Sequence, residues 1–233
     1  MSEFFNHYEI ETQNGIKEFS LYQSDILSFE KNTDIIVLSA HTNSYYPKAG
    51  TVIWSFEKKH GISVQMLADH PMIDFRHYWG GAWAAKLLHC PYSYLVCVEM
   101  TGQATDKESI GRILNVFFTT LELLDRIDPS ISSVIMPLIG AGRQKIAPEI
   151  ILDKLFQIGS ESIARCRHLN HIHIAERSED KIPAINAAMN AVLNRGDCEI
   201  RDLFGEESLL LLLDQLRDVV SHLLTEHSVL SGN

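Results

Sequence analysis

Two kinds of apolar pattern alternate along this chain. "IKEFSLYQ" (16–23) alternates apolar and polar positions, the signature of a half-buried strand. "TDIIVLSA" (33–40) is a short continuous apolar run ending in small polar residues, as a buried parallel strand requires. "GTVIWSFEKKHG" (50–61) predicts a short helix stopped by glycine. "YSYLVCVEM" (92–100) predicts a strand, and 106–128 carry helical spacing through Ile110, Leu114, Phe117, Leu121 and Leu124. "SSVIMPLI" (132–139) is the next buried strand, 147–162 the next helix, "NHIHIAE" (170–176) a further strand and 181–195 a closing helix. Strands separated by helices of this length imply right-handed crossovers and a largely parallel sheet covered on both faces. The fold class is therefore α/β, a three-layer α/β/α arrangement, with no internal repeat or low-complexity linker.

The tail has another character. In "EESLLLLLDQLRDVVSHLLTE" (206–226) Leu209, Leu212, Leu213, Leu216, Val219, Val220, Leu223 and Leu224 share one broad helical face. A single helix cannot bury that stripe alone, so it packs on its own domain or against a second copy or partner. The expected division is a domain over 1–195 and a helical extension over 196–233.

Composition narrows the function. The 233 residues include 45% hydrophobic and 21% charged positions, an ordinary globular balance. A formal net charge of −10 argues against broad nucleic-acid binding, which needs a basic face, but leaves room for a small anionic ligand. Cys90, Cys97, Cys166 and Cys198 form no C-x-x-C pair, so neither a zinc site nor a disulfide framework is suggested. No signal-peptide pattern opens the chain, and the leucine run at 209–213 is too short to span a bilayer. The expectation is a cytoplasmic protein without membrane segment, metal or cofactor.

Candidate chemistry sits where strands end. In "MPLIGAGRQKIAPE" (136–149) a β-branched run delivers Gly140 and Gly142, one residue apart, to the start of a helix. Such a loop either turns tightly or brings backbone amides close to an anion. Ligands of parallel sheets bind outside the carboxyl ends of the strands, and "LSAHTNSYYPKAGT" (38–51) ends another strand in the same way. Each loop feeds a helix whose N-terminal amides and dipole favour negative charge. Two such loops on one edge suit a diphosphate held between them.

At these residues the chain resembles the macro domain family, which binds ADP-ribose and related nucleotides, from about residue 20 to about residue 195. In "SDILSFEKNTD" Asp25 and Ile26 resemble the family's Asp-Ile pair that meets adenine. "TDIIVLSAHTN" stands where the family strand ends in asparagines, and there Asn43 lies two residues beyond His41. "AGTVIWSFEKKHG", with Gly50, Thr51 and Val52, resembles the first glycine loop and its helix. Ile139, Gly140, Ala141 and Gly142 match the hydrophobic-Gly-small-Gly phosphate loop, with Arg143 adding positive charge at its mouth. The resemblance implies that these residues hold the ligand, with Glu176 or Arg177 in place of the aromatic that stacks on adenine, a role open to the arginine and not to the glutamate.

The departures bear on catalysis. Leu38 and His41 stand where family asparagines do, and Ile53 falls at or near an aspartate that organises ribose and water. Lys58 or Lys59 resembles the lysine of a branch acting on glutamate-linked ADP-ribose, but the aspartate of that branch reads Gln144, which is no general base. Binding without turnover is the expectation. The alternatives are an ADP-ribosyl hydrolase using His41 and Lys58, and an interaction module with a degenerate pocket. His168, His171 and His173 suit a metal less well than a solvent-facing edge strand. Tyr45 and Tyr46 either cover a ligand or pack the loop. The aromatic segment 75–83 makes a lid, a core corner or a partner surface.

Overall fold

The computed structural model describes residues 2–29, 33–77, 81–100, 107–141 and 146–194. The leucine-rich helix and the boundary expected at 195–196 lie outside them. Eight strands make one sheet: β1 (Glu3–Thr12), β2 (Gly15–Gln23), β3 (Ile35–His41), β4 (Ile73–Asp74), β5 (Ala82–Lys86), β6 (Tyr94–Met100), β7 (Ser133–Pro137) and β8 (His171–Glu176). Among the described residues five α-helices accompany it: α1 (Val52–His60), α2 (Val64–Asp69), α3 (Lys107–Ile127), α4 (Pro148–Arg165) and α5 (Ile182–Asn194). The strand order is β1-β2-β8-β7-β3-β6-β5-β4. From β2 to β6 every pairing is parallel, while β1, β5 and β4 join antiparallel.

The expected α/β architecture is present, and every strand and helix read from the described sequence has its counterpart. Side chains alternate between two cores, as the pleat demands. Ile35, Val37, Val134, Met136, Ile172 and Ile174 meet the apolar stripe of α3 (Ile110, Ile113, Leu114, Phe117, Leu121) and the buried face of α4. Ile36, Leu38, Leu95, Cys97 and Ile135 face the other way, toward Ile53 and Phe56 of α1 and Val64 and Ala68 of α2. Each large apolar side chain so buried contributes roughly 1.5–3 kcal/mol. The α3–α4 contact is close: a Cβ on Gly159 would stand 2.6 Å from Phe118 Cζ, so any side chain there would push the helices apart.

Helix ends follow their sequence signals. Thr51 Oγ1 accepts from the Trp54 N–H at 3.2 Å, and Gly61 closes α1 at φ +68°, its N–H donating to Glu57 O. Among the described residues no helix is long and apolar enough to cross a membrane.

One expectation is corrected. β8 lies between β2 and β7, not at an edge, and His173 is only 4% exposed, packed against Tyr22 and Phe29 at ring-centroid distances of 5.6 and 5.1 Å. His168 and His171 keep partial contact with solvent, His171 3.6 Å from a Glu18 oxygen.

Candidate functional site

Parallel pairing brings the carboxyl ends of β2, β8, β7, β3 and β6 to one edge in that order. Neighbouring strands lie about 4.8 Å apart, so the exits of β2 and β3 are separated by roughly three such spacings. Asp25 and Ile26 follow β2, Arg177 follows β8, Ile139, Gly140 and Ala141 follow β7, and Asn43, Gly50, Thr51 and Val52 follow β3.

At the β2 exit, Ser24 N–H donates to Glu176 O at 3.0 Å and ties β2 to the end of β8. Asp25 then caps a 3₁₀ turn, Ile26–Ser28, its Oδ1 accepting from Leu27 N–H at 2.9 Å. Ile26 and Leu27 are buried. The turn is pinned by the Tyr92 hydroxyl, which donates to Ile26 O at 3.4 Å, and by Lys59, whose ammonium donates to Leu27 O. The other Asp25 oxygen faces Arg177 Nη1 at 3.8 Å, with the Asp25 side chain 39% exposed. One oxygen holds the fold and the other is accessible.

The β8 exit adds cations. Arg177 is 78% exposed. Lys181 reaches toward the neighbouring loop, with Nζ 3.5 Å from Ala141 O and 3.8 Å from a Glu176 oxygen. Glu176 itself accepts from Ser178 N–H at 2.8 Å, so it is no stacking partner for a base.

At the β7 exit, Ile139 is buried and Gly140 turns at φ +91°, a backbone state that penalises any Cβ. Ala141 N–H donates to Leu138 O at 3.1 Å, closing the turn. A Cβ on Gly140 would also crowd Ile146 Cδ1 at 3.2 Å and Ile110 Cδ1 at 3.4 Å. Gly140 therefore has a structural reason whatever the loop binds. α4 follows, with Pro148 in its first turn and Ala147 supplying no side-chain cap. Gly142, Arg143 and Gln144 lie outside the described residues.

At the β3 exit, His41 is exposed at the strand end and Asn43 adopts φ +55° within a turn closed by Ser44 N–H to His41 O at 2.9 Å. Gly50 turns at φ +84° with open space where a Cβ would stand. Thr51 caps α1 and donates from its hydroxyl to Lys48 O at 2.6 Å, and Val52 opens the helix. Leu38 and Ile53, at the positions of family polar groups, are both in the core. Lys58 lies further along α1, its ammonium 4.8 Å from the Trp54 ring centroid.

A polar array beside this loop, buried at Tyr45 and Glu99, escaped the sequence reading. Tyr45 is 2% exposed, and its hydroxyl donates to Glu99, itself 1% exposed near the end of β6. Arg76 interacts with the same hydroxyl and is held by Asp74 through Nε to Oδ1 at 2.8 Å and Nη2 to Oδ2 at 2.5 Å. Burial, then the Glu99 hydrogen bond, push the Tyr45 hydroxyl well above its ordinary pKa. Burial would raise the Asp74 carboxyl as well, but its hydrogen bonds from Arg76 outweigh that and hold it below the usual carboxylate range. No sequence signal marked this array, since Tyr45 and Glu99 are 54 residues apart. The segment 75–83 is in part a core corner: Phe75 and Trp83 are buried, Trp83 edge-on to Tyr45 at 5.5 Å, and residues 78–80 lie outside the described set. Among the described residues no group of three or more His, Cys, Asp or Glu is placed to hold a metal ion.

No family model and no curated protein matches the sequence. Solved structures do match the fold. The Oceanobacillus iheyensis macrodomain with ADP superposes at a TM-score of 0.60 with 12% identity, covering 84% of this chain and 99% of that one. The same macrodomain with MES bound gives 0.60 at 11% identity, over 84% and 100%. The Trypanosoma brucei macrodomain in complex with ADP-ribose gives 0.55 at 12% identity, over 72% and 68%. At such identities the likeness speaks for backbone architecture. This chain has the macro-domain fold.

Proposed function

We propose that the protein binds ADP-ribose or a related NAD-derived adenine nucleotide along the carboxyl edge of its sheet. The observation that carries this reading is the accessible Asp25 oxygen at one end of that edge, in line with the glycine loops that leave β7 and β3. A carboxylate suits the exocyclic amine of adenine through a charge-assisted hydrogen bond. Asp25 and Ile26 take the base with Arg177 stacked on it. Ile139, Gly140, Ala141, Gly142 and Arg143 cradle the diphosphate, and Asn43, Gly50, Thr51 and Val52 meet the remainder. The T. brucei and O. iheyensis macrodomains with ADP-ribose or ADP bound support this choice of ligand.

Titration calorimetry against ADP-ribose, ADP, AMP and NAD is the test, with an inosine diphosphate as the control lacking the exocyclic amine. Binding of the adenine ligands and weak binding of the control are expected. No binding of any nucleotide would leave the interaction module as the surviving reading, with the leucine-rich segment at 206–226 as its contact surface.

A hydrolase reading rests on His41, exposed at the end of β3 beside the first loop. A neutral imidazole within hydrogen-bond reach of a water can act as a general base. Against it stand Ile53 in the core and Lys58 over Trp54. Negligible hydrolysis of glutamate-, serine- or nucleotide-linked ADP-ribose is expected at saturating enzyme. Turnover lost in His41→Ala with affinity retained would establish the hydrolase instead.

A further inference from the structure

The segment from His41 to Gly50 lies almost wholly at the surface, and its one buried residue is Tyr45. His41, Thr42, Asn43, Ser44, Tyr46, Lys48, Ala49 and Gly50 are exposed, Tyr46 by 79%, and Pro47 is half-buried. The loop thus has a single inward anchor. That anchor ends not in apolar packing alone but on a buried carboxylate, Glu99.

A carboxylate buried this far is expensive unless hydrogen bonds replace its water. The neighbouring inward positions of the same strand face, Leu95 and Cys97, are filled without charge. An apolar residue at 99 would therefore suit the core. What Glu99 adds is a fixed acceptor for the Tyr45 hydroxyl, with Arg76 nearby and paired to Asp74 at two points. The array joins three separate elements: the β3–α1 loop, the β4–β5 hairpin and the end of β6. It holds a loop that contains Asn43 in the left-handed region, a state that residues other than glycine adopt far less readily.

Its place along the edge indicates which part of a ligand depends on it. Strand order runs β2, β8, β7, β3, β6, so the array at β6 is about four strand spacings, on the order of 19 Å, from the exit carrying Asp25. With adenine at Asp25 and phosphates at the β7 loop, only the end of the nucleotide remote from adenine reaches the β3–α1 loop. We propose that Tyr45 is a positioning residue: held by Glu99 and Arg76, it fixes the β3–α1 loop for the group attached beyond the diphosphate, without touching the ligand itself. This rests on the nucleotide-binding reading above.

The test compares two ligands in one variant. Kd values for ADP-ribose and for AMP are measured by calorimetry in the wild type, Tyr45→Phe and Glu99→Gln, well below each melting temperature. Tyr45→Phe keeps the ring against Trp83 and removes only the hydroxyl. It should raise the ADP-ribose Kd by about tenfold, the scale of one hydrogen bond, while the AMP Kd moves less than about twofold. Glu99→Gln still accepts from the hydroxyl and should keep most of the ADP-ribose affinity. Equal losses for both ligands, or no loss for either in folded Tyr45→Phe, overturn the proposal. If Tyr45→Phe fails to fold, Arg76→Lys replaces it: a lysine cannot pair with Asp74 at two points, and the same ADP-ribose-selective loss is required of it. A wild type that binds neither ligand refutes the nucleotide reading itself, and the proposal falls with it.

Discussion

The two edges of the parallel strands use charged residues in opposite ways. At the amino edge they are absorbed by the fold. Lys17 is fully buried, and its ammonium donates to Cys166 O at 2.9 Å, Leu169 O at 3.0 Å and Asn170 Oδ1 at 2.9 Å. Asp125 accepts three backbone N–H groups, from Arg167, His168 and Leu169, at 2.7–2.9 Å. One oxygen of Asp34 takes the N–H and hydroxyl groups of both Ser132 and Ser133. At the carboxyl edge, apart from the array around Tyr45 and Glu99, the contacts are looser: 3.8 Å from Asp25 to Arg177, and 3.5 and 3.8 Å for Lys181. Buried charge is thus the poorer guide to a site. The better one is a charged group whose hydrogen-bonding capacity the fold leaves partly open.

The strongest way to break this contrast is at Asp125. Asp125→Ala should strip the turn before β8 of its acceptor and leave three inward N–H groups unpaired, costing about 3–5 kcal/mol in urea denaturation. Nucleotide affinity of the remaining folded protein should be unchanged. A loss under 1 kcal/mol would mean that water replaces the carboxylate, and the amino edge would then not be the closed region described here.

Alkaline pH probes Tyr94, at the start of β6, and Tyr92 just before it. Burial, then Asp128 at 2.9 Å, push Tyr94 up to about 12, and burial pushes Tyr92 to about 12 as well. Both are raised above the ordinary tyrosine value, so their contribution is complete below pH 10 and is lost as pH rises toward 12. Each accounts for about 2 kcal/mol across that window. Chemical denaturation followed from pH 9 to pH 12 should show the fall, and Tyr94→Phe should make it shallower. An unchanged slope in Tyr94→Phe would place the titration elsewhere.

The legible parts of the fold were those with a long periodic signal. α3 announces itself through Ile110, Leu114, Phe117, Leu121 and Leu124, and β3, β6 and β7 through runs buried on both faces. β1 gave no such signal. Its alternation is interrupted by an irregularity between Phe4 and Asn6, and its outer side carries Glu9 and Glu11, as an exposed edge strand requires. α2 and β4 have six and two residues, too few for a period. In the site, local chemistry was legible: Asp25 and Thr51 announce caps, Gly50 and Gly140 announce turns. Pairings across long separations were not. Nothing near Lys17 predicts Asn170, 153 residues away, and nothing near Tyr45 predicts Glu99.

Asp25 sits where the two uses of charge meet, and two substitutions separate them. Asp25→Ala removes both oxygens: the cap is lost at about 1 kcal/mol of stability, and adenine ligands weaken by about 1.5–3 kcal/mol. Asp25→Asn keeps an oxygen for Leu27 N–H and discards the charge, so the melting temperature should hold while adenine affinity falls about fivefold. Calorimetry and thermal denaturation on the same samples decide it. If Asn matches the wild type in affinity, the second oxygen has no ligand and Asp25 belongs with the residues of the amino edge.

The smallest effect is expected at Arg177, whose ion pair to Asp25 is long and whose side chain is 78% exposed. Such pairs contribute little to stability, so Arg177→Ala should shift unfolding by less than about 0.5 kcal/mol. Its effect on affinity discriminates two arrangements. If the guanidinium stacks on the base, the alanine variant loses about 0.5–1 kcal/mol of adenine affinity, and Arg177→Lys, lacking the planar group, recovers little of it. If Arg177 instead only occupies the accessible oxygen of Asp25, the ligand must displace it, and Arg177→Ala binds more tightly. Tighter binding would remove Arg177 from the site and leave Asp25 as the sole charged contact to the base.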